Sequence, residues 1–124
     1  MIVPFQQLIP AELAGDIVKA TEHEFFADGS ATAGNNAGIK NNVELLDKSE
    51  VNIKYRSEIK NILWNHPFFL TLAMPSRIMD CLFSRYEVGM YYGDHVDNTI
   101  MDIQTGDPIR ADLSMTIFLE DPST

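Results

Sequence analysis

The hydrophobic period of this chain changes at Pro75, and that change limits its fold more than any other feature. Before Pro75, apolar residues recur at helical spacing. The run "PAELAGDIVKATEHEFF" places Leu13, Ile17, Ala20 or Thr21, and Phe25 on one stripe, and Pro10 suits a first helical position. A second run after Ser49 places Tyr55, Ile59, Ile62 and Leu63 on one face, with Ser49 and Asn52 as a weak cap signal. His66-Pro67 should end or kink that helix, because the residue before proline avoids helical backbone. "PFFLTLAMP" reads as a further short helix. Between the first two helices, "ADGSATAGNNAG" is rich in Gly, Asn and Ser and reads as a loop or irregular hairpin, whereas "KNNVELLD" is ambiguous.

After Pro75 the period drops to two. In "RIMDCLFSRYEV", Met79, Cys81, Phe83 and Arg85 alternate with Ile78, Asp80, Leu82, Ser84 and Tyr86. In "RADLSMTIFLE", Leu113, Met115, Ile117 and Leu119 line one face of a second expected strand. Gly89 and Gly93 punctuate the segment between them, and Gly106-Asp107-Pro108 is a strong turn signal. Helices followed by antiparallel-looking strands specify an α+β fold with helices packed on one side of a sheet. So few strands leave an open edge, which invites self-association by strand pairing.

Composition narrows the partners. The formal net charge of -9 disfavours nucleic acid and anionic membranes and favours a cation. Five aspartates at positions 94, 97, 102, 107 and 112 crowd one region and are expected to be mostly solvated loop residues. No apolar run approaches the roughly 20 residues of a membrane span. The start "MIVPFQQLIP" lacks a basic region and a long apolar core, so no signal peptide is expected. Cys81 is the single cysteine, which excludes an intrachain disulfide and fits a cytoplasmic location.

One short stretch, "YYGDHVDNTIM", carries chemistry. His95 and Asp97 stand two apart, so on a strand both aim to one side while Val96 faces the core. An imidazole nitrogen and a carboxylate oxygen suit a divalent metal of intermediate hardness. His-x-Asp alone is a weak signal, and a lone pair of this kind is more often structural.

The surrounding residues add to it. "LFSRYEVGMYYGDHVD", "IRADLSMTIFLEDP" and the upstream "FADGSATAG" and "IKNN" resemble, in order, segments of the iron(II)- and 2-oxoglutarate-dependent dioxygenases of the prolyl 4-hydroxylase superfamily. The nearest branch is the PKHD-type hydroxylases. This resemblance implies a double-stranded β-helix, or jelly roll, with N-terminal helices packed outside it. Residues 1–124 would form a single domain, the N-terminal part of a dioxygenase domain, with 1–75 mainly helical and 76–124 supplying the first jelly-roll strands. It implies His95 and Asp97 as iron(II) ligands. Tyr86, nine residues before His95, would be a contact to the cosubstrate 2-oxoglutarate, the alternative being a core tyrosine with a satisfied hydroxyl. Ascorbate is a candidate reductant. The implied reaction couples decarboxylation of 2-oxoglutarate to succinate with hydroxylation of a peptidyl residue or a small molecule. His95 must be neutral to ligate, so metal binding is expected to weaken below about pH 6.

The chain departs from the family pattern in two respects. No histidine follows Asp97, and the one basic residue after it, Arg110, lies before the strand "ADLSMTIFL", whereas the family's cosubstrate arginine comes much later. Arg110 is therefore expected to pair with a nearby aspartate and not to hold 2-oxoglutarate. His23 and His66 lie in regions the family packs outside the barrel, and a cationic His66 at a helix end would suit the helix dipole. Tyr92 is expected to pack on the rim of the site, the alternative being that it lines the substrate mouth. The expectation is a fragment of a longer dioxygenase that binds iron poorly by itself. The alternative is a non-catalytic jelly-roll binding module without a full metal site.

Overall fold

The structure is a computed structural model that describes residues 1–102 and 106–121. The order of elements is α1 (Ala11–Thr21), β1 (Phe26–Asp28), β2 (Lys40–Asn41), β3 (Val43–Leu45), α2 (Glu50–Trp64), α3 (Pro67–Ala73), β4 (Ser84–Arg85), β5 (Tyr91–Tyr92), β6 (Ile100–Met101) and β7 (Ile109–Arg110). Helices and small antiparallel sheets together make an α+β chain. No helix among the described residues is long and apolar enough to cross a membrane. The described residues form two compact units: residues 1–25, 45–83 and 118–121 in one, and residues 26–44, 84–102 and 106–117 in the other.

The first unit is helical. Ile17 is fully buried on α1, Tyr55, Ile59 and Leu63 are buried on α2, and Leu8, Ile9, Leu45 and Phe83 complete its core. The stripe expected on α2 is therefore its buried face. Ser49 caps α2 by accepting the backbone N–H of Asn52 at 3.0 Å. The Asn52 side chain is buried and donates to the carbonyls of Leu45 (3.4 Å) and Leu46 (3.1 Å), tying the helix to the chain that enters it.

Two expectations for the helices are corrected. First, α1 starts just after Pro10 and ends at Thr21, whose hydroxyl bonds back to the carbonyl of Ile17 at 2.9 Å. His23 and Phe25 thus fall outside the helix, and Phe25 is 69% exposed instead of continuing the stripe. Second, His66 is the N-cap of α3: its Nδ1 accepts the backbone N–H of Phe69 at 3.1 Å. That bond requires an unprotonated Nδ1, and a helix N-terminus carries partial positive charge, so the expected cationic role is reversed. Met74, at φ 45°, ends α3 in left-handed backbone.

The second unit is built from short strands. β1, β3 and β4 form one sheet in that order, with Val43 opposite Arg85 and Glu44 opposite Ser84. β2 pairs with β5, Lys40 opposite Tyr92 and Asn41 opposite Tyr91. β6 and β7 form a hairpin, Ile100 opposite Arg110. The Gly/Asn/Ser-rich segment is two consecutive 3-10 turns, Gly29–Thr32 and Gly34–Ile39. Asp28 caps the first by accepting the N–H of Ser30 at 2.8 Å. The backbone and hydroxyl bonds from Ser30, with a lesser contribution from Lys40, hold the Asp28 carboxyl below its ordinary value. Short strands thus occur before residue 76 as well as after it.

The long strands expected after Pro75 are shorter than their alternation suggested. Only Ser84–Arg85 of "RIMDCLFSRYEV" is a paired strand. In "RADLSMTIFLE", pairing stops near Ala111, whose N–H donates to the Thr99 carbonyl at 2.9 Å. Leu113 is 69% and Phe118 82% exposed, and residues 113–119 pair with no strand among the described residues. Alternation makes a segment fit to be a strand, but the ladder to a neighbour is what fixes it as one. Part of the loop carrying the Gly106-Asp107-Pro108 signal lies outside the described residues. Gly106 itself has φ 77°, the backbone that favours glycine in a turn.

Candidate metal centre

His95 and Asp97 follow β5 directly. The segment that carries them is not a regular strand, and Val96 is 83% exposed instead of facing the core. The Val96 carbonyl accepts the side-chain amide of Asn36 at 3.2 Å, in place of a strand neighbour. Even so, the two side chains converge. His95 Nε2 and Asp97 Oδ1 lie 3.1 Å apart. The His95 side chain is 21% exposed and that of Asp97 60%, so the pair is reachable from solvent.

The other imidazole nitrogen fixes where one ring proton lies. His95 Nδ1 lies 2.7 Å from the Gly93 carbonyl. A carbonyl oxygen only accepts, so Nδ1 carries the proton and donates. In the neutral ring this leaves a lone pair on Nε2, the nitrogen that faces Asp97. A backbone carbonyl holding the far N–H of a histidine is the usual support for a metal-binding imidazole. Two donors about 2.1 Å from one ion and at right angles lie roughly 3.0 Å apart. The observed separation fits an octahedral edge. It equally fits an imidazolium donating to a carboxylate when Nε2 carries a second proton. The donor set and its spacing therefore suit a divalent metal. Among the described residues no group of three or more His, Cys, Asp or Glu side chains is placed to hold one.

Tyr92, expected near the site, and residues that the sequence did not single out brace the pair. The Tyr92 ring stacks on His95, with centroids 3.7 Å apart and planes 14° from parallel. Lys40, opposite Tyr92 in the β2–β5 register, places its ammonium 5.2 Å from the Tyr92 ring centre. That ammonium pairs with Glu44 and donates to the Thr32 hydroxyl at 2.9 Å. The Gly93 N–H donates to the Ile39 carbonyl at 2.8 Å, which ties the loop to the end of the second 3-10 turn. Gly34, at φ 55°, lies against Asn98, whose amide nitrogen would stand 3.2 Å from a Cβ built there. The "GNNAGI" turn signal was legible in the sequence, but nothing in the spacing indicated that it would back the His-x-Asp loop.

The remaining expected residues are placed as follows. Tyr86 stands one residue past β4 and is 50% exposed, so it is not a core tyrosine. Arg110 pairs with Asp112 at 2.8 Å on the surface, as its position suggested. Cys81 is a free, partly buried thiol.

No protein-family model matches the chain. Curated proteins do. A PKHD-type hydroxylase of Acaryochloris marina is 37% identical over 123 residues, covering 98% of this chain and 54% of its own length. One of Synechococcus elongatus is 40% identical over 124 residues, covering 98% of this chain and 55% of its own length. The PKHD-type hydroxylase PiuC of Pseudomonas aeruginosa is 34% identical with the same coverage of 98% and 55%. The chain is a homologue of the PKHD-type hydroxylases. The resemblance carried by "LFSRYEVGMYYGDHVD" and its flanks is thus borne out along nearly the whole chain. The chain spans about half the length of these relatives.

Proposed function

We propose that the chain supplies the first two metal ligands of an iron(II)- and 2-oxoglutarate-dependent hydroxylase, a dioxygenase acting on a peptidyl residue or a small molecule in the cytoplasm. One observation carries the reading: the Gly93 carbonyl fixes the Nδ1 proton of His95 while Nε2 faces Asp97 Oδ1 at 3.1 Å. In a homologue of hydroxylases, that is the arrangement expected of a facial histidine and carboxylate. In this proposal the described strands belong to one part of a jelly roll, and the third ligand and a basic residue for 2-oxoglutarate come from outside these residues.

His95 would bind iron through Nε2 and Asp97 through a carboxylate oxygen. Iron, when bound, supplies the activation of dioxygen with 2-oxoglutarate as electron donor. The Gly93 carbonyl keeps the ring in the ligating tautomer, and Tyr86 is proposed to contact 2-oxoglutarate. Ascorbate would serve to keep the metal reduced. The partial exposure of the pair gives substrate a path to it.

The test is succinate release from 2-oxoglutarate with iron(II), run on the 124-residue chain and on a fusion that adds the remaining half of the Acaryochloris relative. The expected result is release by the fusion, loss of release with His95→Ala or Asp97→Ala, and little release by the chain alone. Release by the fusion that survives both substitutions would remove these residues from the site.

A further inference from the structure

We infer that Tyr92 is a positioning residue that sets the plane of the His95 ring through a face-to-face stack, itself anchored by Lys40. The inference uses the reading of His95 as a metal ligand only for its consequence, and the stack itself can be observed without metal. Two neutral aromatic rings avoid a face-to-face sandwich, because their quadrupoles repel. The Tyr92–His95 pair, at 3.7 Å and 14°, is close to that arrangement. It becomes favourable when one ring is electron-poor, and an imidazole gains positive character whenever Nε2 binds a cation or a proton. The electron-rich tyrosine face therefore favours the loaded form of His95 over the empty one.

Tyr92 is held in place for this. It lies on β5 opposite Lys40, and Gly93 extends the pairing to Ile39. The Lys40 side chain is only 6% exposed and is fixed by Glu44 and Thr32, so the cation near the Tyr92 ring has little freedom. A rotation of Tyr92 would release the imidazole to turn about its Cβ, and Nε2 would leave Asp97.

The experiment is proton–nitrogen NMR of the His95 ring in the whole chain, joined to cobalt(II) titration. In the unsubstituted chain the His95 ring protons should lie upfield of those of a free histidine, from the Tyr92 ring current, with the proton on Nδ1. Tyr92→Phe keeps the stack and should hold both the shift and the cobalt(II) Kd within about twofold. Tyr92→Met should abolish the upfield shift and raise the Kd about 10-fold, the scale of losses seen when a ligand's outer support is removed. His95 ring protons at free-histidine positions in the unsubstituted chain would overturn the inference. So would a folded Tyr92→Met chain with unchanged Kd, or a Tyr92→Phe chain that loses the shift. If Tyr92→Met does not fold, the unsubstituted and Tyr92→Phe spectra decide. If the unsubstituted chain binds no cobalt(II), as two ligands without a third allow, the ring-proton positions decide the inference, and the metal reading is decided separately by the succinate-release test on the fusion.

Discussion

Replacing Lys40 by Met should cost the chain a large part of its stability. The side chains of Lys40 and Glu44 are 6% and 8% exposed, so their ion pair lies in a low-dielectric setting. Lys40→Met keeps the length of the stem and removes the charge, leaving the Glu44 carboxylate without its cation. Among the described residues Glu44 then retains only the Thr32 hydroxyl, which lies 2.7 Å and 2.9 Å from its two oxygens and has one proton to give. Breaking a buried pair from one side typically costs about 3–5 kcal/mol, against a total of roughly 5–15 kcal/mol for a small protein. The surface pair Arg110–Asp112, with side chains 75% and 64% exposed, is the control. Its loss in Arg110→Ala should cost about 0–1 kcal/mol, because water screens it. Urea unfolding with an unchanged slope measures both. The double substitution Lys40→Met/Glu44→Leu should recover most of the loss, since apolar residues can replace a buried pair with little penalty. A Lys40→Met loss no larger than that of Arg110→Ala would refute the reasoning. A double variant no more stable than the single one would refute it as well.

Three smaller predictions follow from local geometry. Ser49→Ala removes the cap bond to Asn52 and should lower stability by about 1 kcal/mol, whereas Ser49→Asp should be nearly neutral in the same unfolding assay. Gly29→Ala should destabilise by roughly 1–3 kcal/mol, because the new Cβ would stand 2.0 Å from Asn42 Oδ1; adding Asn42→Ala should return part of the loss. Burial, the first cause, and the nearby Asp80 raise the Cys81 thiol above its ordinary value of 9.0. Its alkylation by iodoacetamide at pH 8 should therefore be several-fold slower than that of a free thiol and should become normal in urea. The stability contributed by the neutral Cys81 thiol is present below 9.0 and is lost as pH rises through the higher folded value.

The sequence by itself determined the local elements and the residues that converge. The α2 stripe of Tyr55, Ile59 and Leu63, the Ser49 cap, the His66-Pro67 break and the His95/Asp97 pair were all legible, because each depends on neighbours within a few positions along the chain. The expected strand length was not realised. "RADLSMTIFLE" alternates as a strand should, yet its ladder extends only to Ala111 among the described residues. The support of the site was also invisible in the sequence. Asn36 holds the Val96 carbonyl across 60 positions, and Lys40 meets Tyr92 only because β2 and β5 pair in one register. A hydrogen bond or a stack between distant segments depends on how the chain is brought back on itself. Local spacing placed His95 and Asp97 together, and tertiary pairing decided what would hold them there.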